Sequence, residues 1–79
     1  MKVKTLLQAH EAVRRLRPAP GAHRHVWCEY YRQSAEVYRH VADVDQDHHH
    51  EAMFWVSRDL QRADEFSESL QEKSASKGA

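Results

Sequence analysis

The feature of this 79-residue chain that most restricts its fold is a helical repeat of large side chains between residues 24 and 43. Successive residues of an α-helix lie about 100° apart, so side chains three or four positions apart share one side. One side carries Trp27, Tyr31, Ser34, Tyr38 and Val41. The other side carries polar and charged residues, namely Glu29, Arg32, Gln33, Glu36, Arg39, His40 and Asp43. This segment is therefore predicted to be an amphipathic helix with its charged side in water.

Two further segments show the same period. Thr5 followed by Gln8 fits a capping box, and Pro18 prevents a helix from continuing, so a first helix is predicted at about 5–17. Its inward-facing residues are Leu6, Ala9, Val13 and Leu16. A third helix is predicted at about 46–70, because acidic residues suit a helix start and a long apolar stripe follows. That stripe consists of Ala52, Trp55, Val56, Leu60, Ala63, Phe66 and Leu70.

Three helices with short connections predict an all-α fold, a small antiparallel three-helix bundle formed by one domain at 1–70. Residues 71–79 have no apolar anchor and are predicted to form a disordered tail. A domain of this size buries roughly 60 % of its unfolded surface, so its stability is expected to be marginal.

Composition restricts the class of protein. Cys28 is the only cysteine, which excludes an internal disulfide and favours a reducing compartment. The apolar run at the start of the sequence is interrupted by Gln8, His10 and Glu11, so it is too short and polar for a signal peptide or membrane span. The expected location is the cytoplasm, with no membrane partner.

The charges are unevenly distributed although their formal sum is zero. Residues 1–25 hold six basic residues and one acidic residue, a balance of +5, and the remainder has a balance of −5. The basic residues Arg14, Arg15, Arg17 and Arg24 suggest nucleic-acid binding as one hypothesis. The zero net charge favours a second interpretation, in which the basic first segment docks on the acidic remainder.

The run "DVDQDHHHEA", residues 43–52, holds three consecutive histidines among acids at the start of the third helix. Consecutive residues point in different directions, so the three cannot all bind one ion. His10 of the first helix is expected near His48, His49 and Asp45, since the first and third helices run parallel. These four residues are a candidate site for a divalent metal such as zinc. The alternative is a tier of hydrogen-bonded, partly buried histidines with no metal.

The same stretch gives an expectation about pH. Histidines near a helix start face the positive end of the helix dipole, which opposes their protonation. We therefore expect the protein to lose stability in mild acid, and we consider a metal- or pH-sensing module as an alternative function.

Asp59 lies within the apolar stripe of the third helix, between Trp55 and Ala63. A buried carboxylate is costly unless it is paired. Arg14 or Arg17 on a neighbouring first helix is the expected partner, in a structural ion pair.

Motifs for catalysis are incomplete in this sequence. His50-Glu51 begins a zinc-protease motif, but Phe54 stands where the second histidine is needed. The two glycines, Gly21 and Gly78, cannot form a glycine-rich phosphate loop. The chain is therefore predicted not to be an enzyme and to need no cofactor.

One aromatic residue, Phe54, falls on the polar side of the third helix, where it is expected to form a small exposed patch with Met53 and Ser57. In so short a chain such a patch favours a protein partner or a second copy of the chain. The leading hypothesis is thus a small helical protein-interaction module that self-associates.

The stretch "AEVYRHVADVDQDHHHEAMFWVSRDLQRA", residues 35–63, resembles a group of small actinobacterial helical proteins to which no function is assigned. The resemblance is centred on "VADVDQDHHHEAMFW" and extends to the overall content of arginine, alanine and histidine. It implies an intracellular bacterial origin, and it implies no reaction, ligand or catalytic residue.

Overall fold

A computed structural model of the chain describes the backbone of residues 2–78 and the side chains of residues 2–68. It contains three α-helices, α1 (Leu6–Leu16), α2 (Arg24–Val44) and α3 (His49–Gly78), and a short 3-10 helix at Gln46–His48. No strand occurs in the described backbone. The predicted all-α three-helix bundle is therefore confirmed.

The first helix begins where the capping box predicts. The Thr5 hydroxyl accepts a hydrogen bond from the Gln8 backbone N–H at 3.2 Å, and the Gln8 side chain in return accepts the backbone N–H of Thr5 at 3.3 Å. Such reciprocal bonds satisfy N–H groups that have no partner inside the helix. The helix ends at Leu16, two residues before Pro18, because proline lacks the N–H that a further turn requires.

The third helix begins later than predicted. Val44 ends α2, and Asp45 leads into the 3-10 helix, so α3 starts at His49 and not near residue 46. The helix continues to Gly78, beyond the predicted end near residue 70. The predicted disordered tail, 71–79, lies outside the residues whose side chains are described.

Neighbouring helices run antiparallel. The start of α1 meets the end of α2, where the Leu6 backbone N–H donates to the Asp45 carboxylate at 3.2 Å. The Cys28 thiol near the start of α2 contacts the Ala63 carbonyl oxygen on α3 at 3.5 Å. Consequently α1 and α3 run parallel, on two sides of α2. Within the described residues, no helix is both long and apolar enough to cross a membrane.

The core surrounds α2, since this helix is covered from two sides. Ser34, Tyr38 and Val41 are buried as predicted, whereas Trp27 and Tyr31 are only partly buried. Residues outside the predicted stripe of α2 are also buried, namely Cys28, Ala35, Val37 and Ala42. A helix between two neighbours buries a wider arc than a helix with one partner, which explains the additional residues.

On α3 the prediction is right for Ala52, Val56 and Ala63, which are buried, and wrong for Leu60, which is exposed. The difference lies in the rotation of α3 about its own axis. Asp59 turns toward α2 and is 6 % exposed, so Leu60, one residue later, turns away from the core.

Candidate functional site

The predicted histidine and aspartate set is only partly assembled. Oδ2 of Asp45 accepts a hydrogen bond from Nδ1 of His48 at 2.9 Å, in addition to the bond from the Leu6 backbone N–H. Asp45 therefore links the end of α2, the 3-10 helix and the start of α1. A carboxylate at a helix N-terminus also interacts favourably with the helix dipole.

The other two histidines of the set have separate partners. Nδ1 of His10 shares a hydrogen bond of 2.6 Å with the Tyr38 hydroxyl, and the His10 ring packs edge-on against Trp55 with centroids 5.3 Å apart. Nδ1 of His49 donates to the carbonyl oxygen of Ala42 at 2.7 Å, which satisfies a carbonyl in the last turn of α2. Both side chains are thus engaged inside the bundle.

The metal prediction is not supported by this geometry. Among residues 2–68, no group of three or more histidine, cysteine, aspartate or glutamate side chains is placed to hold a metal ion. Of the predicted ligands His10, Asp45, His48 and His49, only Asp45 and His48 meet, because the other two are turned toward Tyr38 and Ala42. The arrangement matches the alternative interpretation, a hydrogen-bonded tier of histidines.

The expected resistance of these histidines to protonation is wrong for His48. The hydrogen bond and charge of Asp45 raise the pKa of His48 above its usual value. The same hydrogen bond, helped by the Leu6 N–H, lowers the pKa of Asp45. A carboxylate at 2.9 Å outweighs the helix dipole, whose effect is confined to the terminal turn.

A partly enclosed cleft of about 230 Å³ lies between α1 and α3, with α2 as its floor. Val13 of α1 and Arg17, which directly follows α1, line one side, and α3 contributes Trp55, Arg58 and Asp59. The floor and remaining walls come from α2, through Trp27, Tyr30, Tyr31, Ser34 and Tyr38. All three helices are therefore needed to form it. We call it the aromatic cleft.

The walls of the aromatic cleft are rings in mutual contact. Tyr38 and Trp55 stack with centroids 5.8 Å apart, which joins α2 to α3. Trp27 packs edge-on against Tyr30 at 5.6 Å, and Tyr30 contacts Tyr31 at 5.1 Å. Rings held by several neighbours lose little freedom when a ligand binds, which favours recognition.

Two arginines stand at the mouth of the cleft. The guanidinium of Arg17 lies 5.9 Å from the ring centroid of Trp27, and that of Arg58 lies 5.1 Å from the ring centroid of Trp55. Both arginine residues are exposed. Stacking on an indole face holds a guanidinium in place through a cation–π interaction while its N–H groups stay available.

Asp59 lies inside the cleft, and its predicted ion pair with Arg14 or Arg17 is wrong. Its Oδ2 instead accepts a hydrogen bond of 2.5 Å from the Ser34 hydroxyl, and no ion pair of Asp59 occurs in the described part of the chain. Ser34 is 1 % exposed. Burial raises the pKa of Asp59, while the Ser34 hydrogen bond and the Arg58 charge act in the opposite direction.

Two tyrosines of the cleft share this environment. Burial, followed by the Asp59 charge, raises the pKa of Tyr38 to about 12 and also raises the pKa of Tyr30. Both hydroxyls therefore stay protonated at neutral pH and can donate hydrogen bonds.

The predicted partner patch contains one exposed aromatic residue, and its other two residues differ in their exposure. Phe54 is 61 % exposed and packs edge-on against Trp55 at 5.5 Å. Ser57 is also exposed, whereas Met53 is partly buried and packs against the core. Whether these residues bind a partner stays a prediction.

The expected charge pairing of the basic first segment with the acidic remainder is not formed by three of its arginines, Arg14, Arg15 and Arg17, within residues 2–68. The ion pairs among residues 2–68 are Glu29–Arg32, Asp45–His48 and Arg62–Glu65, each between residues three apart. None involves Arg14, Arg15 or Arg17, all of which are exposed. The described contacts that dock α1 are the buried side chains of Leu6, Ala9 and Val13 and the hydrogen bond from the Leu6 N–H to Asp45.

The aromatic cleft was not predicted from the sequence, although most of the residues that line it were predicted to lie on the inner faces of the helices. A signal was present: Ser34 and Asp59 are the polar residues within two otherwise apolar stripes. Polar residues on facing stripes of neighbouring helices are expected to pair, since each needs a buried partner.

Comparison with known proteins adds no relative. No protein-family model, no curated protein and no solved structure matches the chain. The resemblance to the actinobacterial group therefore stays a prediction.

Proposed function

We propose that this chain is a small helical protein-interaction module that acts by self-association. The observation that carries the proposal is the exposure of Phe54, which leaves 61 % of a large aromatic residue in water. At about 100° per residue, Phe54 lies roughly 200° around α3 from buried Ala52, on the outermost side of the helix. Its described ring contact is the edge-on packing against Trp55, the next residue in the chain.

Charge argues for a second copy as the partner. Arg14 and Arg15 on α1 are exposed and take part in no described ion pair, and the same holds for the exposed acids Glu51 and Asp64 on α3. In a dimer with two-fold symmetry, α1 of each copy can face α3 of the other, so each favourable contact occurs twice. A chain of zero net charge is not repelled by its own copy.

The aromatic side chain supplies the apolar part of such an interface. Burying one phenylalanine is worth roughly 1.5–3 kcal/mol, and association itself costs more than that. The dimer is therefore expected to be weak and to dissociate on dilution. Its charge contacts are expected to weaken further as salt increases.

Sedimentation velocity over a range of about 10 µM to 1 mM, at low and high salt, tests the proposal. We expect the mean mass to rise with concentration, and Phe54→Gln to lower it. Leu60→Gln is the matched control, because Leu60 is an exposed apolar residue on a different side of the same helix. A chain that stays monomeric at the highest concentration in low salt, or equal dimerisation of wild type and Phe54→Gln, contradicts the proposal.

The unpaired arginines favour a second candidate function, nucleic-acid binding. Arg14, Arg15 and Arg17 form an exposed basic group at the end of α1, without acids in ion-pair distance among the described side chains. Such a group would contact phosphates without reading base sequence. An electrophoretic mobility shift of duplex DNA that weakens steeply with salt supports this candidate, and an unchanged mobility at micromolar protein opposes it.

For the location of the protein we propose the cytoplasm. The chain has a single cysteine, Cys28, and that thiol is buried against Ala63 rather than available for a disulfide. A protein that relies on packing alone suits a reducing compartment.

A further inference from the structure

The aromatic cleft combines three features that its packing role does not require. It is open, with a volume of about 230 Å³, whereas a structural core is close-packed. It holds an acid that is 6 % exposed and forms no ion pair among the described residues. Two guanidiniums stand at its mouth, each held on the face of a tryptophan. Each feature restricts the kind of molecule that fits.

Asp59 determines which charged group fits the interior of the aromatic cleft. Asp59 has one hydrogen bond, from Ser34, and this bond uses only Oδ2 of the carboxylate. A buried carboxylate is stabilised by a cation that donates hydrogen bonds to it. The rings of Tyr30, Tyr38 and Trp55 line the cleft, and aromatic rings are favourable neighbours of a bound cation. An ammonium group therefore fits the interior.

The two arginines at the mouth of the cleft favour a negatively charged group of the ligand there. Arg17 and Arg58 would repel a ligand that carried only positive charge, because together they outweigh Asp59 by one unit. Their exposed N–H groups are suited to a carboxylate or phosphate, which guanidinium groups bind through paired hydrogen bonds. The order of charges from the interior outward is thus negative, then positive.

We infer that the aromatic cleft is a binding site for a small zwitterion, with its ammonium group against Asp59 and its carboxylate or phosphate between Arg17 and Arg58. The cleft has the volume of roughly seven or eight water molecules, which limits the ligand to the size of an amino acid with a short carbon chain. Phe54 does not line the site, and the inference does not rest on self-association.

Tryptophan fluorescence gives a direct readout, because Trp27 and Trp55 are the only tryptophans of the chain and both line the cleft. The full chain is titrated separately with 4-aminobutyrate, propylamine and butyrate, which carry both charges, only the ammonium, and only the carboxylate. We expect a saturable change with 4-aminobutyrate, at a Kd about tenfold or more below that of either single-charge compound, since one charged contact contributes that much.

Two variants assign the ends of the ligand. Asp59→Asn is expected to weaken 4-aminobutyrate binding about tenfold without weakening butyrate, since the ammonium contact is lost and no contact of the carboxylate is removed. Arg58→Gln is expected to weaken 4-aminobutyrate and butyrate without weakening propylamine. Asp64→Asn, an exposed acid on the same helix, is the matched control and should bind as wild type does.

The inference is overturned by the absence of a saturable change with 4-aminobutyrate up to about 10 mM. It is also overturned if butyrate or propylamine binds as tightly as 4-aminobutyrate, since one charge would then be sufficient. Far-UV circular dichroism verifies that each variant folds. Because Arg58 is exposed, Arg58→Gln is expected to fold, and it tests the inference even if Asp59→Asn does not fold.

Discussion

Replacing Ser34 with alanine removes the hydrogen bond that the structure gives to the Asp59 carboxylate. Ser34 is 1 % exposed and Asp59 is 6 % exposed, so water has little access to replace the lost donor. A hydrogen bond to a charged group contributes about 1.5–3 kcal/mol. A domain of this length has a total stability of roughly 4–12 kcal/mol, so the loss is a large fraction. The expected fall in Tm is roughly 6–24 °C.

Replacing Asp59 with asparagine is expected to act in the opposite direction at neutral pH. Asparagine keeps the shape and an oxygen that accepts the Ser34 hydroxyl, but it carries no charge to desolvate. Burial raises the pKa of Asp59, so the stabilising contribution of the protonated group is present below about pH 4 and is lost as pH rises through the folded-state pKa. The stability of Asp59→Asn relative to wild type should therefore increase over that pH range and then level off.

Thermal unfolding followed by circular dichroism between about pH 3.5 and 7.5 measures both effects. Ser57→Ala and Asp64→Asn are the matched controls, because both residues lie on exposed positions of α3. The reasoning is refuted if Asp59→Asn lowers Tm at pH 7 as much as Ser34→Ala does, since the charge would then stabilise the fold.

Three further predictions concern packing, capping and pH. Val41→Ala should lower the free energy of unfolding by about 2 kcal/mol, because Val41 is 0 % exposed. Val44→Ala in the same helix, at 48 % exposure, should cost less than about 0.5 kcal/mol in urea titrations. Thr5→Ala should cost about 1 kcal/mol in the same assay, since it removes the cap of α1. His48→Gln should be most destabilising between about pH 4 and 6.5, because the pKa of His48 is raised by Asp45 and that of Asp45 is lowered by His48. Above that range His48 loses its proton, and below it Asp45 gains one. Urea titrations across pH should therefore show a smaller difference in the free energy of unfolding between wild type and His48→Gln at both extremes.

Each of these predictions has an outcome that contradicts it. Equal losses from the two valine substitutions would mean that the core is not centred on α2. A Thr5→Ala variant as stable as wild type would remove the role of the capping box. A difference between wild type and His48→Gln that is constant with pH would show that the contact with Asp45 is not formed in solution.

The ends of the first helix could be predicted from sequence because they depend on local chemistry. Thr5 and Gln8 are three residues apart and bond to each other, and Pro18 acts on its own backbone. The position of α3 was predicted less well. The segment after Val44 first forms a 3-10 helix, and the hydrogen bonds of Asp45 with Leu6 and His48 favour that conformation. Leu6 is 39 residues away, so no local pattern contains that information.

In the candidate site, too, some features could be predicted from local sequence and others depend on contacts between distant residues. Periodicity places Tyr38, Trp55 and Asp59 on inner faces, and the structure agrees. Periodicity cannot choose between Ser34 and the arginines of α1 as the partner of Asp59, because that choice depends on how each helix is rotated about its axis. It also cannot show that His10 bonds to Tyr38 and not to His48 or Asp45. A rotation of a helix by about 100° about its axis replaces the residue that faces the core by the next one in sequence. On α3, Asp59 faces the core and Leu60 does not.

The sequence alone determined that the chain forms three amphipathic helices, since the spacing of apolar residues and the cap and proline positions are properties of a single segment. Only the tertiary structure decided that Asp59 pairs with Ser34, that the histidines are divided among Asp45, Tyr38 and Ala42, and that α1 and α3 leave an aromatic cleft above α2. The physical reason is that these contacts join residues distant in sequence, and their geometry depends on the rotation and separation of whole helices.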